Sequence, residues 1–335
     1  MNRNKIFDSL KFILVCFVVY AHTTESQYNK DRGTEVLVSF LSTFTMPLFI
    51  FISGYFSKTI TWDKYKKSFK TLFLTYIVAQ LTYSIPLIIA HSINPPSNQF
   101  NIFEEIISIF ILPKGGLWYI VGLLVWRFMI YYIAKFKLKF ALVFSLSLII
   151  PLLFGFIDIQ LNAFRIITFF PYFILGYYCT ENIFNKIRKV NPLISFAVLL
   201  IIFIGLCFYK DLFHFLMATF GEGSYKATYP TVFQGFLYRA SFYLISMISI
   251  NCVMNLATDR FYKLGKYSLG IFLVHPCIIF TISGIRMYLL PPIEVSYPIL
   301  FEFPMSMVIV GISLYLSELK PIQYWINPSL ILSKK

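Results

Sequence analysis

The chain is 335 residues long, 58% hydrophobic and 13% charged, with 29 Lys and Arg against 15 Asp and Glu for a formal net charge of +14. A mean hydropathy of +0.72 over that length exceeds what the core of a soluble domain needs, so the composition excludes a soluble protein and points to an integral membrane protein. Continuous apolar runs, in place of short alternating strands, disfavour a β-barrel.

A spanning helix needs roughly 20 mostly apolar residues, and segments of that size recur along the sequence. Ten spans are predicted, at residues 6–24, 34–57, 69–92, 116–135, 138–156, 162–181, 192–210, 232–256, 266–289 and 297–318. The first, "KIFDSLKFILVCFVVYAHTTE", has the basic start of a signal peptide but lacks a small-residue cleavage site, so it is retained as a span. The second ends in Ser53-Gly54-Tyr55, and the third opens on the basic residues Lys64, Lys66, Lys67 and Lys70. Before the fourth, "NQFNIFEEIISIFILPKGG" is too short and too acidic at its start to cross. Residues 98–112 are therefore read as an interfacial or re-entrant helix closed by Pro113, Gly115 and Gly116.

Trp118 and a mid-span Arg127 lie in the fourth span, Arg165 near the start of the sixth, and Arg239 in the eighth. The ninth carries Ser268 and His275, seven residues apart on one face, with Pro276 bending the helix behind them. His91 and His214 fall at loop boundaries with no constellation around them. Cys16, Cys179, Cys207, Cys252 and Cys277 all sit in apolar segments without paired spacing, so free thiols are expected and no metal site is predicted. The expected architecture is an all-α membrane protein of about ten helices, residues 1–335 forming one polytopic domain with no separate soluble domain.

Orientation follows from the basic residues, which cytoplasmic loops retain. With the N terminus inside, twenty of the 29 fall on the inner side, six (Lys30, Arg32, Lys114, Lys210, Lys226 and Arg286) on the outer, and Arg127, Arg165 and Arg239 within spans. An N-in, C-in topology is therefore expected. Anchoring at an anionic leaflet accounts for the positive charge, with membrane lipids as partners and no nucleic acid.

One face of the first span raises a chemical question. The step from Lys11 to His22 is almost three turns, so both project from one stripe roughly 16 Å apart, and Asp8 and Glu25 fall within about 40° of it. Such a stripe belongs against the bundle interior or a water-filled cavity. His22 is read either as an outer-end cap or as a working imidazole. Arg127, Arg165 and Arg239 are costly in a span unless paired, so they either meet anionic ligand groups or belong to a structural ion-pair network.

Lys11, ten intervening residues and His22 resemble the pattern that opens the membrane-bound acyltransferase-3 family, whose members O-acylate bacterial cell-surface sugars, fucose 4-O-acetylase-like proteins among them. "FTMPLFIFISGYFSK" looks like the family's second span, and "KKSFKTLFLTYI" like the basic cluster opening the third. "GGLWYIVGLLVWRF", "FFPYFILGYY" and "YSLGIFLVHP" then resemble later segments in order, so the likeness covers residues 7 to about 280. Lysine stands at positions 11, 67 and 70, where the family usually has arginine; it keeps the charge for a phosphate but loses the bidentate fork. The chain ends soon after its tenth span, so the hydrolase-like domain fused to some members is expected to be missing.

The resemblance implies an O-acyltransferase of a bacterial cytoplasmic membrane, with acetyl-CoA or another acyl-CoA as donor and a surface polysaccharide or lipid-linked sugar as acceptor. Acyl transfer from a thioester needs a base for the hydroxyl proton, stabilisation of the tetrahedral oxyanion and an anchor for the donor's phosphates. His22 is the expected base. Glu25 either orients its ring or contacts substrate from the loop. Lys11, Lys67 and Lys70 would meet the phosphates of coenzyme A, with Arg127 along the route, although the lysines of the third span serve equally for positive-inside anchoring. Trp118, Arg165 and Arg239 are candidates for acceptor binding or oxyanion stabilisation. Ser53 with Tyr55 is read as a packing turn or a substrate contact, with Ser53 as nucleophile the alternative, and His275 as a buried hydrogen-bonding residue or a substrate contact. A polysaccharide or lipid-linked sugar exporter would use the same basic cavity without acyl chemistry.

Overall fold

Each of the ten apolar segments is helical in the computed structural model, which describes residues 4–25, 28, 30–93, 107, 113–157, 163–221, 223–289, 298–328 and 330. The described elements are all helical, without a strand. The predicted interfacial segment 98–112 lies outside the described residues apart from Ile107.

α1 (Lys5–Thr23) begins at Asn4, whose side chain accepts from the N–H groups of Ile6 and Phe7, with Asp8 in the first turn. α2 (Arg32–Ser42) starts at Asp31, which accepts from the Thr34 N–H at 2.7 Å. A break at Thr43 and Phe44 separates it from α3 (Thr45–Tyr55), and the two together make one apolar stretch of 24 residues. α4 (Trp62–Ile93) is followed, after the segment outside the described residues, by a 3₁₀ turn at Gly115–Leu117 that leads into α5 (Trp118–Lys135). Then come α6 (Phe140–Phe154), α7 (Ala163–Tyr178), and the pair α8 (Glu181–Arg188) and α9 (Pro192–Phe208), bent by 82°. α10 (Leu212–Phe220) and the short α11 (Tyr225–Thr228) precede α12 (Val232–Leu256). A second 3₁₀ turn, Leu264–Tyr267, opens α13 (Ser268–Leu289), and α14 (Pro298–Glu318) and α15 (Lys320–Ile326) close the order.

Six described helical stretches are long and apolar enough to cross a bilayer: α1, α2 with α3, α5 with its 3₁₀ turn, α12, α13 and α14; the bent pair would make a seventh. α6 and α7, at 15 and 16 residues, rise only about 22 and 24 Å, short of the roughly 30 Å hydrocarbon core.

The outward faces of α6, α9 and α12 expose Leu142, Leu153, Leu193, Ile201, Leu237 and Leu244, as lipid contact requires. α1 instead packs on α3, α13, α14 and the second 3₁₀ turn. Its buried residues include the polar Asp8, Ser9 and Thr23, and the Ser9 hydroxyl accepts from the Phe261 N–H at 3.2 Å. Of the polar stripe of the first span, Asp8 is thus buried against protein and Lys11 half-buried beside it, while His22 and Glu25 at the other end are open to a cavity.

The closest packing joins α3 and α7. A Cβ on Gly54 would lie 2.1 Å from the Phe173 carbonyl oxygen, and one on Gly176 would lie 1.9 Å from that of Phe51. The two backbones touch where a side chain would hold them apart, which gives the Ser53-Gly54-Tyr55 sequence a packing role.

Candidate functional site

α1, α3, α7, α10 and α13 enclose a cavity of about 730 Å³ at the end of the bundle where α1 terminates. Its polar lining includes His22 in the last turn of α1, Glu25 and Tyr28 in the following loop, and Arg165 in the first turn of α7. Phe17, Trp118, Phe169, Phe220, Phe272 and Pro276 supply much of the apolar wall. Gly115 and Gly116 also line it; a Cβ on Gly116 would stand 3.0 Å from the Phe272 ring, so glycine there keeps the wall thin between α5 and α13.

The His22 Nδ1 faces the Glu25 Oε2 at 3.7 Å, an electrostatic contact longer than a hydrogen bond. The imidazole beside it and the more distant Arg165 guanidinium hold the Glu25 carboxyl below the usual glutamate range, against the effect of partial burial. Arg165 itself lies between two rings, 5.4 Å from the centroid of Trp118 and 5.8 Å from that of Phe220. Such a cation–π setting holds a guanidinium in place. The His275 ring stacks on His22 with centroids 5.4 Å apart and planes 30° from parallel. His275 is 1% exposed and is absent from the cavity wall.

Four of the residues expected from sequence therefore meet in one cavity: His22, Glu25, Trp118 and Arg165. The others lie elsewhere. Arg239 is fully buried, donates to the carbonyls of Pro151 and Gly223 at 3.3 and 3.1 Å, and lies over the Tyr225 ring, joining α12 to the end of α6 and to the turn before α11. Arg127 donates to the Ser68 hydroxyl and links α5 to α4. The Ser53 hydroxyl shares a 2.6 Å hydrogen bond with Tyr119 and donates to the Phe49 carbonyl. Tyr55 is buried against Phe7, with the Lys58 ammonium 3.5 Å above its ring. Lys11 pairs with Asp8 at 2.7 Å and lies over Phe56, while Lys67 and Lys70 project from the exposed face of α4. The cavity reaches along α1 as far as Phe17, leaving about 9 Å of helix between it and Lys11.

The sequence reading missed Tyr28 and the wall supplied by α10. Phe213, Met217 and Phe220 all line the cavity, and their i, i+4, i+7 spacing was the available signal in a stretch taken for a loop. His214, expected to stand apart, has its Nδ1 2.6 Å from the Asp211 Oδ1, while Tyr238 donates to the other carboxylate oxygen at 2.5 Å. Burial would raise that carboxyl, but the bonds from Tyr238 and His214 outweigh it and hold Asp211 low. Among the described residues no group of three or more His, Cys, Asp or Glu is placed to hold a metal ion.

The cavity therefore joins an imidazole with a carboxylate at one of its nitrogens to a fixed cation and aromatic walls, the parts needed to take a proton from a hydroxyl and hold charge on an oxygen. A family model described as an acyltransferase domain matches residues 4–318. No curated protein and no solved structure matches the chain.

Proposed function

The chain belongs to this acyltransferase family, and from that premise we propose that it moves an acyl group, acetyl in the first instance, from acyl-CoA to a hydroxyl of a cell-surface polysaccharide or lipid-linked sugar. The observation that carries this reading is the convergence of His22, Glu25, Arg165 and Trp118 on one cavity. The membrane is taken to be the cytoplasmic membrane of a bacterium, with the N terminus inside and the cavity opening toward the outer face.

With Glu25 at Nδ1, the proton of His22 belongs on that nitrogen, and Nε2 presents the lone pair. The acceptor hydroxyl gives its proton to Nε2 as its oxygen attacks the thioester carbonyl. Negative charge then forms on the carbonyl oxygen, for which Arg165 in the cavity wall offers a cation, and Glu25 balances the imidazolium. Collapse expels the coenzyme A thiolate, which recovers the proton from His22, so atoms and charge balance and no acyl-enzyme is needed. Trp118 offers a flat wall for a sugar ring. Lys11, with Arg127, Lys67 and Lys70, is assigned to the donor's phosphates; the pantetheine arm would have to part the side chains between Lys11 and Phe17.

The test measures acyl esters on purified surface glycans by mass spectrometry, in cells lacking this protein and complemented with wild type or His22→Ala at matched membrane abundance. Restored esters with wild type, and intact but unacylated polymer with the variant, are the expected results. Unchanged acylation with failed polymer export would replace the transferase by an exporter.

A further inference from the structure

The proposed acyl transfer leaves the ring behind the base without a task. His275 precedes Pro276, which has no N–H, so the turn above it lacks a helical donor for the Phe272 carbonyl. The His275 Nδ1 lies 2.9 Å from the Ile271 carbonyl oxygen, with the Phe272 carbonyl as a second acceptor. A carbonyl only accepts, so Nδ1 carries the proton and Nε2 is bare. That Nε2 is buried with no hydrogen-bond partner among the described residues. The interrupted helix thus fixes both the tautomer and the plane of the ring, and presents its face to His22 at 5.4 Å.

We propose that His275 is a positioning residue for His22: its ring holds the plane of the base and, by its π face, stabilises the imidazolium formed when the acceptor hydroxyl is deprotonated. This rests on the acyl-transfer reading for its use, though the stack itself does not. A neutral ring suits the position because a second cation would oppose the charge forming on His22, whereas a π face attracts it. Among the described residues of the cavity wall, the other titratable or charged groups around the base are Glu25 and Tyr28 from the loop after α1 and Arg165 from α7. Asp31 at the start of α2, and Glu302 of α14, which also packs on α1, both bear on Tyr20, two residues before His22.

Diethyl pyrocarbonate reacts with neutral imidazole, and the two rings differ in reach: the His22 side chain is 40% exposed, while His275 is buried. Carbethoxylation of the His22 peptide, followed by mass spectrometry on the detergent-purified full chain across about pH 5 to 8, therefore reports the titration of His22 without any substrate. His275→Asn keeps an N–H donor for the Ile271 carbonyl but removes the ring, and His275→Phe keeps a ring but removes the donor. The Asn variant should lower the midpoint by about half to one pH unit and cut the turnover of acyl transfer about threefold to tenfold, with the KM for acyl-CoA unchanged. The Phe variant should keep the wild-type midpoint. A wild-type midpoint in folded His275→Asn, or equal shifts in both variants, would overturn the proposal. If the midpoints separate as expected but wild type transfers no acyl group, the stack stands and the acyl-transfer reading fails.

Discussion

Replacing Gly176 by alanine tests whether the backbone contact between α3 and α7 sets the cavity. The added methyl would lie 1.9 Å from the Phe51 carbonyl oxygen, so the helices must part by about 1.5 Å to restore an ordinary contact, in an interior that yields little. Overpacking of this kind costs about 1 to 3 kcal/mol, which corresponds to a melting temperature lower by roughly 3 to 8 °C. The consequence for chemistry is larger, because α3 supplies Thr45 and Met46 to the cavity and α7 supplies Arg165 and Phe169. A misplacement of about 1 Å at a reacting centre costs up to about a hundredfold in rate. The assay pairs thermal unfolding in detergent with acyl transfer per folded molecule. Gly205→Ala is the control, since its Cβ would meet nothing within 4 Å. Wild-type melting and wild-type turnover for Gly176→Ala would refute the argument that this contact fixes the distance between Arg165 and His22.

Arg165→Gln should lower kcat about a hundredfold or more while the KM for acyl-CoA changes little, since it removes the cation offered to the oxyanion and leaves the base in place; an equal loss in binding alone, read from steady-state kinetics, would move Arg165 to acceptor recognition. The Glu25 carboxyl is held below its usual range, so its charge is fully present above about pH 4.3 and is lost only as the pH falls through its lower folded value. The wild-type acid limb of kcat/KM then reports His22. Glu25→Gln should move that limb down by about half a pH unit and cut kcat threefold to tenfold, a modest effect for a side chain 71% exposed, and an unmoved limb would take Glu25 out of the mechanism. Lys11→Gln should raise the KM for acyl-CoA about tenfold at unchanged kcat, with Lys11→Arg restoring it; a loss of kcat instead, measured at saturating donor, would speak for a role in the bundle alone.

The helices were legible because lipid forces long apolar runs on the sequence, and all ten predicted segments are helical. The residue that best announced the site, His22, did so through helical arithmetic on a single element, where azimuth is known. Arg165 and Arg239 looked alike at that level: two intramembrane arginines at similar depth. Depth does not give azimuth, and azimuth is set by packing between helices that a sequence does not print. Arg239 turns toward the carbonyls of Pro151, near the end of α6, and Gly223, in the turn before α11, while Arg165 turns toward Trp118 and Phe220 in the cavity. The break between α2 and α3 was hidden for the same reason, since Thr43 and Phe44 interrupt no apolar pattern.

The first helix uses one device twice, and the two uses differ in how closely the charges meet. Asp8 with Lys11 and His22 with Glu25 are both acid–base pairs three residues apart on the same stripe. The first is closed at 2.7 Å, with the Asp8 side chain 7% exposed and that of Lys11 26% exposed, so each charge already has a close partner. The second stands open at 3.7 Å, with both side chains reaching the cavity. A pair that is already tight gains little when one partner takes on charge, whereas a loose pair beside a neutral imidazole has most of its attraction still to gain at the moment a proton arrives. That is the arrangement that favours a transition state over a ground state, and it is found at the end of α1 that faces Arg165.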